Sequence, residues 1–337
     1  MASIRVRNGR WQVRWRQDGR ALAETFPDRS QARPWAGQAS PASPQGPYCR
    51  LVAPGPRRPR FTVVIPALDE ERLLPLCLDA LAAQNSTGGV EVVVVDNDSS
   101  DRTADIARAK GARVVHEPVR GVCAARLAGS VAAHGEIIVS TDADTTFPPG
   151  WLSAIDRSFA DPGVVAVTGP PHFVDAPWWG RAYEWLLFRL VHLVYVTTGR
   201  VWYVSATNIA FRREAFPGYD TRLTQGGDEW DLLRRLRTRG RVVFDLRNRT
   251  LTSSRRLQRG LAYNVLVSCL YYYVLGYVLN RATGRTVLGM APAIRTNPAP
   301  DPSPAPRSRR DAAMRTLAAI ALFAAVGGVA MEWAELV

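Results

Sequence analysis

Acidic residues are grouped at three points in the middle of the sequence, each at or just after a short apolar run. The groups begin at Asp69, Asp96 and Asp142. One Asp after a strand commonly caps the next helix or forms a turn. Three such groups at one edge of a parallel sheet would concentrate negative charge, which is costly unless a cation or hydrogen-bond donors compensate it. The pattern therefore favours a ligand site over three separate caps.

Asp142 and Asp144 add a more specific geometry, because they lie one residue apart after an apolar run. Both carboxylates can turn toward one hard divalent cation. Mg²⁺ and Mn²⁺ suit oxygen ligands and commonly keep waters and substrate phosphates in their coordination shell. The D-x-D pattern is weak by itself, but its position after a fourth strand strengthens it. We expect Mg²⁺ or Mn²⁺ at this point.

The segments that must position these carboxylates alternate between strand and helix patterns. Runs rich in Val and Ile, separated by helical periodicity, are typical of parallel strands covered on both faces. The strand runs are 61–66, 91–96, 112–116 and 136–142, and the helical segments are 70–84, 103–110 and 122–134. Such sheets bind ligands at the carboxyl ends of their strands. The sequence predicts an α/β fold with a mostly parallel central sheet, helices on both faces and a site at this edge.

Six ordered segments carry a resemblance to a known family. They are Val63–Glu71, Val93–Thr103, Gly121–Gly129, Thr141–Asp144, Asn208–Phe216 and Gly226–Leu232. Together they resemble the family 2 glycosyltransferases over about residues 61–260. The resemblance implies the GT-A fold and a metal-dependent, inverting hexosyltransferase. Such an enzyme moves a sugar from a nucleotide-diphosphate donor to a hydroxyl or phosphate acceptor. The resemblance identifies neither the sugar nor the acceptor.

The resemblance also assigns donor-side roles to single residues. Those expected to bind the nucleotide sugar are Pro66, Ala67, Asp69, Asp96, Arg126, Asp142, Arg255 and Arg256. Asp142 and Asp144 are the expected metal ligands, with Asp144 in direct contact. One departure is Leu68-Asp69, where the family usually shows Tyr-Asn. Paired arginines can grip a diphosphate through forked donors, although ordinary surface arginines are an equal alternative at 255–256.

The general base has two candidates. Gly227-Asp228-Glu229 stands where the family usually has Gly-Glu-Asp, whose last carboxylate takes the proton of the acceptor hydroxyl. By position the base is Glu229, and by residue type it is Asp228. Without the resemblance, an acidic first turn of a helix over 228–239 would account for both residues. We therefore expect catalysis from this pair and leave the choice open.

Two uncharged stretches follow the transferase-like region. Leu261–Leu279 is rich in Tyr and is expected to form an interfacial or re-entrant helix, with a core helix as the alternative. Ala182–Thr198 could likewise face a membrane, a lipid-like acceptor or the core. The uncharged stretch 316–331 lies between arginines and glutamates, which predicts a transmembrane helix over 316–333 with the preceding segment inside. We expect a protein anchored at the cytoplasmic face of the cell membrane, which favours a lipid-linked acceptor such as a polyprenyl phosphate.

Residues 1–36 form a separate pattern. Polar and apolar residues alternate there around the turn signals Asn8-Gly9 and Asp18-Gly19, which predicts a β-hairpin and a third strand ending near Phe26. The segment resembles the three-stranded arm-binding domain of tyrosine-type phage integrases, but no recombinase catalytic set follows it. A fusion remnant is one interpretation. The alternative function is a DNA-binding protein that acts through this basic hairpin and carries a degenerate transferase domain.

Charge distribution weighs against nucleic acid as a partner. The 337 residues carry a net charge of +13, with 43 Lys and Arg against 30 Asp and Glu. Residues 1–60 contribute +9, residues 61–260 only +1, and residues 261–337 +3. Lys110 is the one lysine, so the excess of arginine indicates coding bias more than a binding patch. The predicted organisation is a hairpin segment at 1–36, a linker at 37–60, a catalytic domain at 61–260 and a membrane-associated region at 261–337.

Overall fold

The computed structural model describes residues 3–7, 10–17, 20–26, 58–86, 88–224 and 227–292, the first three stretches and residues 227–228 by their backbone alone. The chain divides into two compact units, Met1–Pro47 and Tyr48–Val337. Most of the predicted linker and the whole predicted transmembrane helix at 316–333 lie outside the described residues.

The N-terminal unit contains three antiparallel strands in sequence order. They are β1 (Ser3–Arg7), β2 (Arg10–Gln17) and β3 (Arg20–Phe26). Trp11 of β2 pairs with Val6 on one side and with Phe26 on the other. The predicted hairpin and third strand are thus confirmed, since alternating side chains and two turn signals specify this pairing locally.

A seven-stranded sheet forms the centre of the second unit. Its strands are β4 (Phe61–Ala67), β5 (Val90–Asp96), β6 (Arg113–His116), β7 (Ile137–Ser140), β9 (Val164–Thr168), β11 (Ile209–Arg212) and β12 (Arg241–Phe244), in the order β12-β9-β11-β7-β4-β5-β6. Only β11 runs antiparallel to its neighbours. The predicted mostly parallel sheet is therefore confirmed.

Helices cover both faces of this sheet. They are α1 (Leu74–Ala82), α2 (Thr103–Ala109), α3 (Val122–Ala132), α4 (Trp151–Ser158), α5 (Trp178–Thr198) and α6 (Leu232–Arg237). Successive residues of β4 alternate between two cores: Val63 packs in the same cluster as Leu78 of α1, and Val64 in the same cluster as Ala125 of α3. Burial on both sides is the reason that these strands read as continuous apolar runs.

A second, smaller sheet lies beside the loop that carries Asp142 and Asp144. It contains β8 (Thr145–Thr146), β10 (Pro171–Val174) and β13 (Thr250–Ser253), with β13 in the middle. The sequence pattern did not predict β13. Its residues Thr-Leu-Thr-Ser are too polar to stand out as a strand.

Three predicted boundaries were wrong. The helix expected over 70–84 begins at Leu74. A proline lies in its first turn, where it is tolerated, but the same proline would break a helix that began several residues earlier. Strand β7 ends at Ser140, which leaves Asp142 in the following loop. The helix expected over 228–239 begins as a π-helical turn, Gly227–Asp231, and continues as α6.

The stretch predicted as an interfacial helix is helical in the structure. A π-helix, Tyr263–Leu275, continues into α7 (Gly276–Thr283). Within the described part of the chain this is the one helix long and apolar enough to cross a membrane, with a mean hydropathy of 1.2. Only 22% of its 18-residue apolar stretch is buried inside the protein, which is little for a core helix.

Candidate functional site

A cavity of about 440 Å³ lies at the carboxyl ends of β4 and β7. Eight of the predicted site residues line it: Pro66, Ala67, Arg126, Asp142, Asp144, Glu229, Arg255 and Arg256. Asp69 and Asp96 lie at the same sheet edge but are not among the lining residues. The side chain of Asp228 is outside the described part of the structure. The sheet edge predicted from the sequence is therefore where the structure places this cavity.

The two carboxylates of the D-x-D pattern each contact an arginine. Nη2 of Arg126, on α3, donates to Oδ1 of Asp142 at 2.5 Å, and this arginine is only 3% exposed. Arg255 donates to Oδ2 of Asp144 at 2.7 Å. Burial and the neighbouring charge of Asp142 raise the pKa of Asp144, and Arg255 opposes that rise. Asp142 and Asp144 thus form a negatively charged pair that positive charge stabilises.

Strand β13 brings Arg255 to this pair. The backbone N–H of Ser253 donates to the carbonyl of Asp144 at 3.3 Å, and the Thr252 hydroxyl to its carboxylate at 3.4 Å. Nη2 of Arg255 also donates to Oε1 of Glu70 at 2.9 Å. Glu70 is 5% exposed and lines the cavity. In the sequence Glu70 stands in the first acidic group, but no pattern there gave it a role.

Glu229 is the buried carboxylate on the other side of the cavity. It lies in the π-helical turn before α6, a local geometry that is frequent at functional sites. The backbone N–H of Ala206 donates to its Oε1 at 3.2 Å. Oε2 is buried and has no hydrogen-bond partner among the described residues. Burial raises the pKa of Glu229 to about 7, although the Ala206 N–H and the charge of Arg126 act against this.

Asp69 and Asp96 bond to a neighbouring loop. Asp69 has a left-handed backbone, with φ of 52°, and its Oδ1 accepts from the N–H of Ser100 at 2.7 Å. Oδ1 of Asp96 accepts from the N–H of Ser99 at 3.1 Å. These contacts give both residues a structural role in the loop after β5. Their expected contacts with a nucleotide stay predictions.

Asn97 is a site residue that the sequence patterns did not single out. Its Nδ2 donates to the carbonyls of Glu117 and Val119, each at 2.8 Å. Its Oδ1 accepts from the N–H of Gly121 at 2.7 Å. Gly121 directly precedes α3, which carries Arg126, so Asn97 fixes the start of that helix. The signal was an Asn among aspartates at a strand end.

The other half of the cavity is aromatic and apolar. Its lining includes Trp179, Tyr183, Trp202, Tyr203, Trp230 and Tyr273. Two of these belong to α5 and one to the Tyr263–Leu275 helix. The sequence patterns assigned none of them to a site, because they are scattered over nearly 100 residues. The cavity thus joins a charged half to an apolar half.

The residues fit a divalent cation whose ligands come partly from the protein and partly from a substrate. Among the described residues, no group of three or more His, Cys, Asp or Glu side chains is placed to hold a metal ion. Asp142 and Asp144 could supply two carboxylate oxygens. Mg²⁺ is usually held by one or two carboxylates plus substrate phosphates and water, and this arrangement matches that mode.

Comparisons with known proteins bear on this site. Residues 62–219 match the family model described as glycosyl transferase family 2. An uncharacterised glycosyltransferase of Mycobacterium tuberculosis is 40% identical over 123 residues, which is 36% of this chain and 54% of that protein. The 4,4'-diaponeurosporenoate glycosyltransferase of Staphylococcus haemolyticus is 50% identical over 54 residues, 16% of this chain and 14% of that protein. The chain thus spans about half the length, or less, of these curated relatives.

A solved structure supports the fold. A mannosyltransferase from Pyrobaculum calidifontis, in complex with GDP-Man and Mn²⁺, superposes with a TM-score of 0.53 at 21% identity. The superposition covers 91% of this chain and 81% of that one. At this identity the likeness concerns the fold alone, and it agrees with the mostly parallel sheet. The family match and the fold together identify residues 62–219 as a family 2 glycosyltransferase domain with the GT-A fold.

Proposed function

We propose that the chain is an inverting glycosyltransferase, of the hexosyltransferase type, that uses a nucleotide-diphosphate sugar and Mg²⁺ or Mn²⁺. The observation that carries the proposal is Oε2 of Glu229. It is a buried carboxylate oxygen with no partner among the described residues, in a cavity that also holds Asp142, Asp144 and Arg255. One cavity thus offers a proton acceptor and a set of groups suited to a metal-bound diphosphate.

The donor belongs to the charged half of the cavity. Asp142 and Asp144 would hold the cation, and Arg255 and Arg256 would donate to the diphosphate through their forks. A bound divalent cation stabilises the negative charge of a departing diphosphate. The neighbouring fold from Pyrobaculum calidifontis was solved with GDP-Man and Mn²⁺, which supports this class of donor.

Glu229 is the proposed general base. The N–H of Ala206 holds Oε1, which leaves Oε2 to accept a proton from the acceptor hydroxyl during in-line attack. A pKa of about 7 suits this role, because a general base works best when its pKa lies near the operating pH. A phosphate acceptor is already ionised and would need no base. Asp228 remains the alternative base by residue type.

The aromatic half of the cavity supports a lipid-linked acceptor. Apolar and aromatic walls favour a ligand whose reacting group is attached to a hydrocarbon chain. A polyprenyl phosphate has this chemistry. Three of the six aromatic wall residues belong to α5 and to the Tyr263–Leu275 helix, and both helices expose large apolar side chains elsewhere on their surfaces. The acceptor would then enter from a membrane rather than from water.

Helix α5 supports docking on an anionic bilayer. Trp178, Trp185, Leu193 and Val196 are 56–63% exposed, and at 3.6 residues per turn they share one face. Arg181, Arg189 and Arg200 are also exposed, and the Arg189 guanidinium lies 5.8 Å from the centroid of the Trp185 ring. Tryptophan and basic residues on one amphipathic face are typical of helices that lie in a membrane interface.

The acidic content of α5 agrees with that orientation. Glu184 is its one acidic residue, and it accepts hydrogen bonds from the Phe173 N–H and pairs with His172, each at 2.9 Å. The exposed face therefore carries positive charge alone, which complements anionic lipid head groups. We propose that the protein works at the cytoplasmic face of the cell membrane, with residues 316–333 as an additional anchor.

A transfer assay tests this function. The full chain is incubated with radiolabelled nucleotide sugars and polyprenyl phosphate in nanodiscs, with Mn²⁺ or with EDTA. We expect lipid-extractable label that depends on the metal. With a polyprenyl-linked saccharide as the acceptor, whose hydroxyl must lose a proton, Glu229→Gln should lose transfer and keep donor affinity, and Asp228→Asn run in parallel decides between the two candidate bases. Full transfer by both variants would refute a carboxylate base in this segment.

A further inference from the structure

The carboxylates of the site already have cationic partners inside the protein. Arg126 pairs with Asp142, and Arg255 pairs with both Asp144 and Glu70. All three carboxylates and Arg126 line one cavity with Arg255. Two guanidinium charges therefore offset three carboxylate charges before any ligand binds. The local excess is one negative charge, not three.

Arg255 is held in this position by several contacts. Its side chain is 11% exposed, and the carboxylates that it bridges are 6% and 17% exposed. It lies two residues after the end of β13, which is paired with β8 beside Asp144. The chain separation between Arg255 and Glu70 is 185 residues, so tertiary structure alone creates the bridge. An arginine built in this way is part of the site and not a loose surface charge.

This arrangement opposes a divalent cation. A cation that bound Asp144 directly would share the carboxylate with a guanidinium, and like charges at such short range repel strongly where solvent is excluded. A diphosphate changes this balance, because guanidinium forks pair at least as well with phosphate oxygens as with carboxylates. The phosphate oxygens also offer ligands to the cation.

We propose that Arg255 is the resident counter-ion of Asp144, and that a nucleoside diphosphate draws it away as the divalent cation binds. The inference rests on the proposed function, since it takes Asp142 and Asp144 as the cation site. It makes cation binding weak without nucleotide and strong with it. By linkage, the cation must then strengthen nucleotide binding by the same factor.

Manganese titrations of the full chain, followed by the electron paramagnetic resonance of free Mn²⁺, test the inference. Uridine diphosphate and guanosine diphosphate serve as probes, with correction for manganese held by free nucleotide. For the wild-type protein, we expect one of them to lower the Kd for Mn²⁺ by about tenfold or more, a typical size for such coupling. Without nucleotide, Arg255→Gln should bind Mn²⁺ about tenfold more tightly than wild type. Its coupling factor should be smaller than that of wild type, with the remainder supplied by phosphate oxygens that bind the cation.

Two further variants separate charge from general disruption. Arg255→Lys keeps a cation beside Asp144 and should remain close to wild type in nucleotide-free Mn²⁺ affinity. Arg241→Ala removes another arginine paired with an aspartate, Asp161, at the start of β12, and should leave the titration unchanged. Melting curves with and without Mn²⁺ show whether Arg255→Gln is folded, and Mn²⁺ should raise its Tm more than that of wild type.

The outcomes distinguish the two levels of the proposal. If wild type binds Mn²⁺ equally well with and without nucleotide, and Arg255→Gln changes nothing, the counter-ion role is wrong while the metal site stands. If Asp144→Ala and wild type both fail to bind Mn²⁺ under every condition, the metal-dependent function is wrong and the inference falls with it.

Discussion

Glu229→Gln should change the pH dependence of stability in a direction set by burial. A carboxyl whose pKa rises from 4.5 to about 7 on folding favours the protonated form in the folded chain. Its contribution to stability is full at low pH and is lost as pH rises from about 4.5 to about 7. At about 1.4 kcal/mol per pH unit, ionising it in the folded chain costs about 3 kcal/mol at high pH. Glutamine cannot ionise, so the variant does not incur this cost.

The measurable quantity is the difference between two pH values. Relative to wild type, Glu229→Gln should gain about 2 to 3 kcal/mol in the free energy of unfolding between pH 5 and pH 8. Urea denaturation followed by tryptophan fluorescence gives this free energy for both proteins. Comparing two pH values cancels any constant effect of placing an amide in the pocket. Glu214→Gln, at an exposed glutamate, is the control and should show no such difference.

The same pKa predicts the rate profile of the wild-type enzyme. With a hydroxyl acceptor, transfer should rise with pH up to about 7 and then level off, because only the ionised Glu229 accepts a proton. A carboxylate of ordinary pKa, near 4, would place that rise about three pH units lower. A flat rate between pH 5 and 8, together with equal stability changes in wild type and Glu229→Gln, would refute the reasoning for both the base and its burial.

Four further predictions follow from the described contacts. Asp144→Asn should lower transfer at least 100-fold, a size typical for loss of an electrostatic group at the reacting centre, and should weaken Mn²⁺ binding in the presence of nucleotide. Asn97→Ala removes three hydrogen bonds at the start of α3 and should lower the free energy of unfolding by about 2 kcal/mol, measured in urea. Trp185→Glu should raise hydrogen exchange across α5 in nanodiscs with anionic lipid and leave it unchanged in lipid-free detergent. Deletion of residues 1–47 should leave sugar transfer intact, whereas an activity that resides in the N-terminal strands would be lost.

The sequence was sufficient to predict β4 to β7, four of the seven strands of the central sheet, because burial on both faces requires a continuous apolar run. Five valines of β5 are fully or nearly fully buried, and a continuous apolar run of this length is typical of a strand covered on both faces. The D-x-D loop was also predictable, since two carboxylates after such a strand must reach the edge where strands end. These inferences need only neighbouring residues.

The rest of the site depends on contacts between distant segments. Strand β13 is polar, and it becomes a strand only by pairing with β8 and β10. Without that pairing, nothing in the sequence connects Arg255 with Glu70. The aromatic half of the cavity could not be predicted for the same reason, because Trp179, Trp230 and Tyr273 lie on three separate elements. Their residue types would suit an ordinary core equally well.

The proposed metal ligand Asp144 and the proposed base Glu229 differ in the groups that stabilise each buried carboxylate. Burial raises the pKa of both Asp144 and Glu229. Asp144 has a guanidinium within hydrogen-bonding distance, at 2.7 Å, which favours its ionised form. Glu229 has a single backbone N–H on one oxygen. Two carboxyl groups in different surroundings can take different roles in one site. Burial therefore favours a cation ligand where a guanidinium bonds directly to the carboxylate, and a proton acceptor where a backbone N–H bonds to one oxygen and the arginine charge acts from a distance.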